Sequence, residues 1–128
     1  MAALEAAKKK VLVVDDDPKE ILLISRTLET MGLEAIKAEN GQEALTMIKQ
    51  NVVDLIILDQ MMPKMDGIKA CALIKSDKRY RNIPVIIFTA SAEDSVKQIA
   101  QQVGANAFCN KPLNITVFTQ KVRELLKI

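Results

Sequence analysis

Five short aliphatic runs, each followed by apolar residues at helical spacing, limit what this chain of 128 residues can fold into. The runs are 10–14 (KVLVV), 33–38 (LEAIKA), 54–58 (DLIIL), 85–88 (VIIF) and 105–109 (ANAFC). After the first come Ile21, Ile24, Leu28 and Met31, opened by Asp17-Pro18 as cap and first helical residue and stopped by Gly32. After the second, Asn40-Gly41 leads into Ala44, Leu45 and Ile48. Asp66-Gly67 opens the third helical stretch, with Ile68, Cys71, Ala72 and Ile74 inward, and SDKRYRN closes it before Pro84. Ser91 to Asp94 start the fourth, carrying Val96, Ile99, Ala100 and Val103 and ended by Gly104. The last carries Ile115, Phe118, Val122, Leu125 and Leu126. The run Leu55 to Leu58 is continuously aliphatic, as a strand buried on both faces reads.

Strict alternation of strand and helix predicts an α/β fold: a parallel sheet with right-handed crossovers and helices on both faces. Five strands suit the flavodoxin-like order 2-1-3-4-5, in which the topology reverses between strands one and three. The length supports a single domain with a core of its own. A basic leader is expected over residues 1–9 and the folded domain over 10–128. The leader places its lysines after its apolar residues, the reverse of a signal peptide, and no run approaches membrane length. A net charge of +2 is too small to argue for nucleic acid or a membrane surface, so neither is expected as a partner. Cys71 and Cys109 read as free buried thiols, and the expected compartment is the cytoplasm.

The chain contains no histidine. That removes Ser-His-Asp and Cys-His catalysis and the usual zinc sites, leaving carboxylates, lysine, hydroxyls and a hard cation. Open α/β sheets bind ligands at the carboxyl ends of their strands. Strand one ends in Asp15 and Asp16, strand three in Asp59, strand four in Thr89 and strand five in Lys111. Singly, each has a plain reading: a solvated turn, a strand end, a helix cap, a surface lysine. Together they put three carboxylates, a hydroxyl and an ammonium at one edge. Clustered carboxylates repel unless a cation neutralises them, and Mg²⁺ is the natural choice for an all-oxygen set. Three aspartates, Lys111 and Mg²⁺ sum to zero charge, so the site can accept a phosphoryl group on a carboxylate nucleophile.

These residues carry a resemblance that runs the length of the chain. Asp15-Asp16 after VLVV, Asp59 followed by QMMPKMDG, Thr89 in FTA, Gly104-Ala105 and Lys111-Pro112 resemble, in combination and order, the receiver domains of two-component response regulators, chemotaxis-regulator-like. The resemblance implies that Asp59 is the phosphoacceptor. It implies Mg²⁺ held by Asp15, Asp16, Asp59 and the backbone carbonyl of Met61. Lys111, the Thr89 hydroxyl and the Ala90 N–H would bind the phosphoryl oxygens. Phe108 falls at the aromatic switch position, where a plain core aromatic is the alternative. The phosphodonor would be a phosphohistidine on a histidine kinase or a histidine phosphotransfer protein. Phosphorylation would then change the face formed by helix four, strand five and helix five, for a downstream protein target or an output domain absent from this chain.

The chain departs from the family pattern at Gln60, where an apolar residue is more usual. Met61 and Ser91, two residues after Asp59 and Thr89, offer no amide or carboxylate to orient a water, so slow self-dephosphorylation is expected. Two rival readings stand beside this one. Asp15 to Asp17 superficially resembles the D-x-D of aspartate-dependent phosphatases, although the residue two after Asp17 is Lys19 and there is no length for a cap domain. A receiver-like interaction module that is never phosphorylated is the other, and the intact Asp, Thr and Lys set argues against it.

Overall fold

The structure is a computed structural model, and it describes residues 8–91 and 93–128. Its elements are β1 (Lys10–Val14), α1 (Pro18–Thr30), β2 (Glu34–Ala38), α2 (Gly41–Gln50), β3 (Leu55–Asp59), α3 (Gly67–Ser76), β4 (Val85–Thr89), α4 (Asp94–Gln102), β5 (Ala107–Asn110) and α5 (Ile115–Leu126). The strands form one parallel sheet in the order β2-β1-β3-β4-β5, as the alternation predicts.

Side chains alternate across the sheet and build two cores. Val11, Val13, Leu55, Ile57, Ile86 and Phe88 face α1 and α5, where Ile24, Leu28, Phe118 and Val122 meet them. Phe88 and Phe118 pack edge to face, with centroids 6.2 Å apart. Leu12, Val14, Ile56, Leu58, Val85 and Ile87 face α2, α3 and α4, against Ala44, Ile48, Cys71, Ile74 and Ala100. Each fully buried Leu, Ile or Phe contributes about 1.5–3 kcal/mol, so the aliphatic strands hold the sheet without aromatic bulk. All five residues of β3 are buried, which anchors its carboxyl end at the centre of the edge.

The start signals of the first three helices act as read. Asp17 accepts from the Lys19 N–H at 2.9 Å with Pro18 in the first turn, and Asn40 and Asp66 cap α2 and α3, while Asn114, not singled out in the sequence, caps α5. Cys71 and Cys109 are free and buried, and burial pushes both thiols up, Cys71 to about 11. No helix among the described residues is long and apolar enough to cross a membrane. Of the expected leader, residues 1–7 lie outside the described residues, and Lys8 and Lys9 are exposed.

Besides a one-residue shift of β3, which runs over Leu55–Asp59 rather than 54–58 and so takes in Asp59, four expectations need correction. Leu33 does not belong to β2, and β5 runs over 107–110 rather than 105–109. The loss of Leu33 and of Ala105 from their strands has one cause. After α1, Gly32 takes φ +79° and the Leu33 N–H closes back on Leu28. After α4, Gly104 takes φ +95° and the Ala105 N–H closes back on Ala100. Each residue following the glycine is therefore spent on terminating a helix. Third, α4 starts at Asp94 behind a Glu93 cap that makes no side-chain hydrogen bond. Ala100 alone of its described residues is buried, and Ile99 is 46% exposed rather than inward. Fourth, Ile115, at the start of α5, is exposed.

Candidate functional site

The sheet order makes β1 and β3 neighbours and points their carboxyl ends to the same edge. Carboxylate oxygens of Asp15, Asp16 and Asp59 come within 4.8 Å of one another there, Asp15 and Asp59 buried and Asp16 exposed. Local structure holds Asp15 in place. Its N–H donates to the Ala38 carbonyl at 3.1 Å and its carboxylate accepts from the Asp17 N–H at 2.9 Å. Lys111, just past β5, reaches back over the Phe88 ring, its Nζ 3.0 Å from Asp15 and 3.3 Å from Asp59. The Lys111 N–H also donates to the Thr89 carbonyl at 2.7 Å, and the Lys111–Pro112 peptide bond is cis.

Electrostatics follow from the crowding. Burial pushes the Asp59 carboxyl up and the neighbouring Asp15 carboxylate pushes it further, against the pull of Lys111, to about 6. Burial alone would lower Lys111, but its hydrogen bond to Asp15 and the charges of Asp59 and Asp15 outweigh this, and its net direction is up. One ammonium therefore does not neutralise the carboxylates around it. Three oxygen donors, two of them buried and converging, fit a hard divalent cation that keeps part of its water shell.

The loop from β3 to α3 is held by its backbone. The Gln60 N–H donates to Phe88 at 2.9 Å, the Gln60 carbonyl accepts from the Gly67 N–H at 3.0 Å, and the Gly41 N–H donates to Met65 at 3.2 Å. A Cβ on Gly67 would collide with the Asp59 carbonyl oxygen, so glycine is required where the loop folds back on the strand. The Met61 side chain is exposed, and its place in this loop puts its carbonyl close to Asp59 in sequence.

Thr89 ends β4 and is buried, and Ala90 follows it. The Thr89 hydroxyl donates to Gln60 Oε1 at 2.5 Å and accepts from the Ser91 N–H at 3.0 Å. Phe108 in β5 is partly buried, paired across the ladder with Ile87 and packed on the core under α2, α3 and α4. The edge thus gathers Asp15, Asp16, Asp59 and Lys111 in direct proximity. Thr89 stands one strand away with its proton engaged by Gln60. That engagement was not foreseen, although the register implies it. Asp59 pairs with Phe88, so the next residues, Gln60 and Thr89, stand side by side.

The chain is similar to known proteins in both sequence and fold. Residues 11–123 match the family model described as the response regulator receiver domain. The chain is 34% identical over 119 residues to the alkaline phosphatase synthesis transcriptional regulatory protein PhoP of Bacillus subtilis, covering 93% of this chain and 49% of that protein. It is 31% identical over 118 residues to the polar-differentiation response regulator DivK of Brucella anthropi, covering 92% and 96% respectively. Among solved structures, chemotaxis protein CheY4 of Vibrio cholerae superposes with a TM-score of 0.88 at 31% identity, over 94% of this chain and 100% of that one. The receiver domain of Francisella response regulator 1452 gives 0.86 at 35%, over 94% and 98%. The chain spans about half the length of PhoP and nearly all of DivK.

Proposed function

The chain belongs to the response regulator receiver domains of two-component systems, and from that premise we propose that Asp59 is its phosphoacceptor. What supports this is the convergence of Asp15, Asp16 and Asp59 with Lys111 at the reversal point of the sheet. A carboxylate oxygen of Asp59 attacks the phosphorus of a phosphohistidine. The new P–O bond forms as the P–N bond breaks, and the imidazole leaves with the bonding pair. The donor in this reading is a histidine kinase or a histidine phosphotransfer protein, and the absence of histidine from this chain fits a donor residue outside it.

Mg²⁺ is the cofactor in this reading, held by Asp15, Asp16, Asp59 and the Met61 carbonyl. When bound it offsets the charge that builds on the phosphoryl oxygens. Lys111, already poised between Asp15 and Asp59, takes one phosphoryl oxygen. The Thr89 hydroxyl and the Ala90 N–H take others. The product carries about −2 where Asp59 carried −1. Thr89 moves toward it, Phe108 fills the vacated space, and the populations of the α4-β5-α5 face shift for a protein target or an output domain. PhoP is described as a transcriptional regulatory protein and DivK as a response regulator, and this chain could serve either arrangement.

The test is intact mass after incubation with acetyl phosphate, with and without Mg²⁺, beside Asp59→Asn. A Mg²⁺-dependent, hydroxylamine-labile phosphate that is lost in the variant is the expected result. Phosphate on Asp15, or none on any residue, overturns the reading. With Met61 and Ser91 beside the site, the adduct should persist well beyond seconds after the donor is removed, and decay within seconds would refute slow dephosphorylation.

A further inference from the structure

The residue that departs from the expected pattern, Gln60, makes a side-chain hydrogen bond to Thr89 beside the site. We propose that Gln60 is a latch on Thr89: it holds the hydroxyl in the unphosphorylated arrangement and sets how readily Thr89 is released to a phosphoryl group. This rests on the reading of Asp59 as phosphoacceptor.

The argument is a count of protons and lone pairs. A threonine hydroxyl has one proton to donate. Among the described residues the Thr89 oxygen accepts from the Ser91 N–H and its proton goes to Gln60 Oε1, in a buried position. The oxygens of a phosphoryl group accept and do not donate, so binding one takes that proton away from Gln60. Latch and phosphoryl group therefore compete for a single donor.

Geometry favours the latch before phosphorylation. Gln60 cannot drift, because its N–H is bonded to Phe88 and its carbonyl to Gly67. Only its side-chain torsions are free, and the contact they make crosses directly to the adjacent strand. Successive residues point to opposite faces of a sheet, so Gln60 and Thr89 follow Leu58 and Ile87 on the face that also packs Phe108. Asp59 follows Ile57 on the face of Phe88 and Lys111. The latch thus keeps Thr89 on the Phe108 side and away from Asp59. A methionine or leucine at position 60 would leave the Thr89 proton uncommitted.

A neutral hydrogen bond in this setting changes an equilibrium about fivefold. The experiment follows appearance of the acetyl phosphate adduct by intact mass in saturating Mg²⁺, for wild type, Gln60→Met, Thr89→Val and the double variant, with Gln60→Leu as a second unlatching substitution. Expected is a limiting rate about fivefold higher for Gln60→Met and Gln60→Leu, with the half-saturating acetyl phosphate concentration unchanged. The gain should survive in a Thr89→Ser background, which keeps the hydroxyl, and vanish in Thr89→Val. Equal rates for wild type and both Gln60 variants overturn the latch, as does a gain that persists in Thr89→Val. An adduct in wild type with no Gln60 effect fails the latch alone. No adduct in wild type fails the phosphoacceptor reading and the latch with it.

Discussion

The corner between β1 and α1 and the corner between β4 and α4 present residues to the same edge of the sheet, and they are anchored in opposite ways. Asp15 and Asp16 are followed by Asp17 capping α1, by Pro18 in its first turn, and by a helix that buries Ile21, Ile24 and Leu28 against the sheet. Thr89 and Ala90 lead to an α4 whose cap residue makes no side-chain hydrogen bond and which buries Ala100 alone among its described residues. Buried apolar contact is the main source of helix stability in a folded protein. The carboxylate corner therefore leads into a firmly packed helix, whereas the hydroxyl corner, itself well hydrogen-bonded, leads into a thinly packed one. On the proposed switch, such a domain would keep its charge cluster in place while α4 rearranges beside Thr89.

The largest expected difference between the corners is in stability. Leu28 in α1 is fully buried, and Leu28→Ala should cost about 2–5 kcal/mol through lost burial and the cavity left behind. Chemical denaturation measures it, and a cost below about 1 kcal/mol would mean that the α1 corner is no stiffer than the other.

Asp59, at the end of β3, is buried beside the Asp15 carboxylate of the stiff corner, and it can neither reach water nor move away from that charge. Asp59 is raised from 3.8 to about 6, so between about pH 4 and 6 the folded state binds more protons than the unfolded state. Stability contributed by the neutral form is then present at low pH and lost as pH rises through that window. Asn at position 59 carries no such penalty. In EDTA at pH 7.5, Asp59→Asn should be more stable than wild type by about 1–3 kcal/mol, and the gain should disappear near pH 4. Parallel stability curves across that range would show that neither burial nor Asp15 raises Asp59 in the folded chain.

Much of this contrast was legible in the sequence, and the part that was not has identifiable reasons. The order of the sheet, the convergence of Asp15, Asp16, Asp59 and Lys111, and the capping by Asp17 all follow from local chemistry and from strand alternation. The first residues of two strands did not, because Leu33 and Ala105 look like strand residues and are instead used to close α1 and α4 behind their glycines. The exposure of Ile99 is not legible because its spacing matches that of Ala100 and Val103, and spacing cannot say how much sheet lies beneath a helix. Gln60 was visible as an oddity, but its partner becomes evident only once β3 and β4 are placed in register.

The smallest expected effect is the one that most directly probes the loose corner. Ile99 has the composition of a core residue and nearly half its surface in water, so Ile99→Ala forfeits little burial and should change stability by less than about 0.5 kcal/mol. Small effects at a single residue are weak evidence alone, so native-state hydrogen exchange supplies the complement. Amides in α1 that lie over Ile24 and Leu28 should open only near the free energy of global unfolding. Those in α4 should open at a distinctly lower free energy, because little buried surface must be exposed to free them. If both helices exchange at the same free energy, the sheet and its covering form one cooperative unit. The difference in burial would then have no dynamic meaning, and any rearrangement beside Thr89 would have to move α4 and the carboxylate corner together.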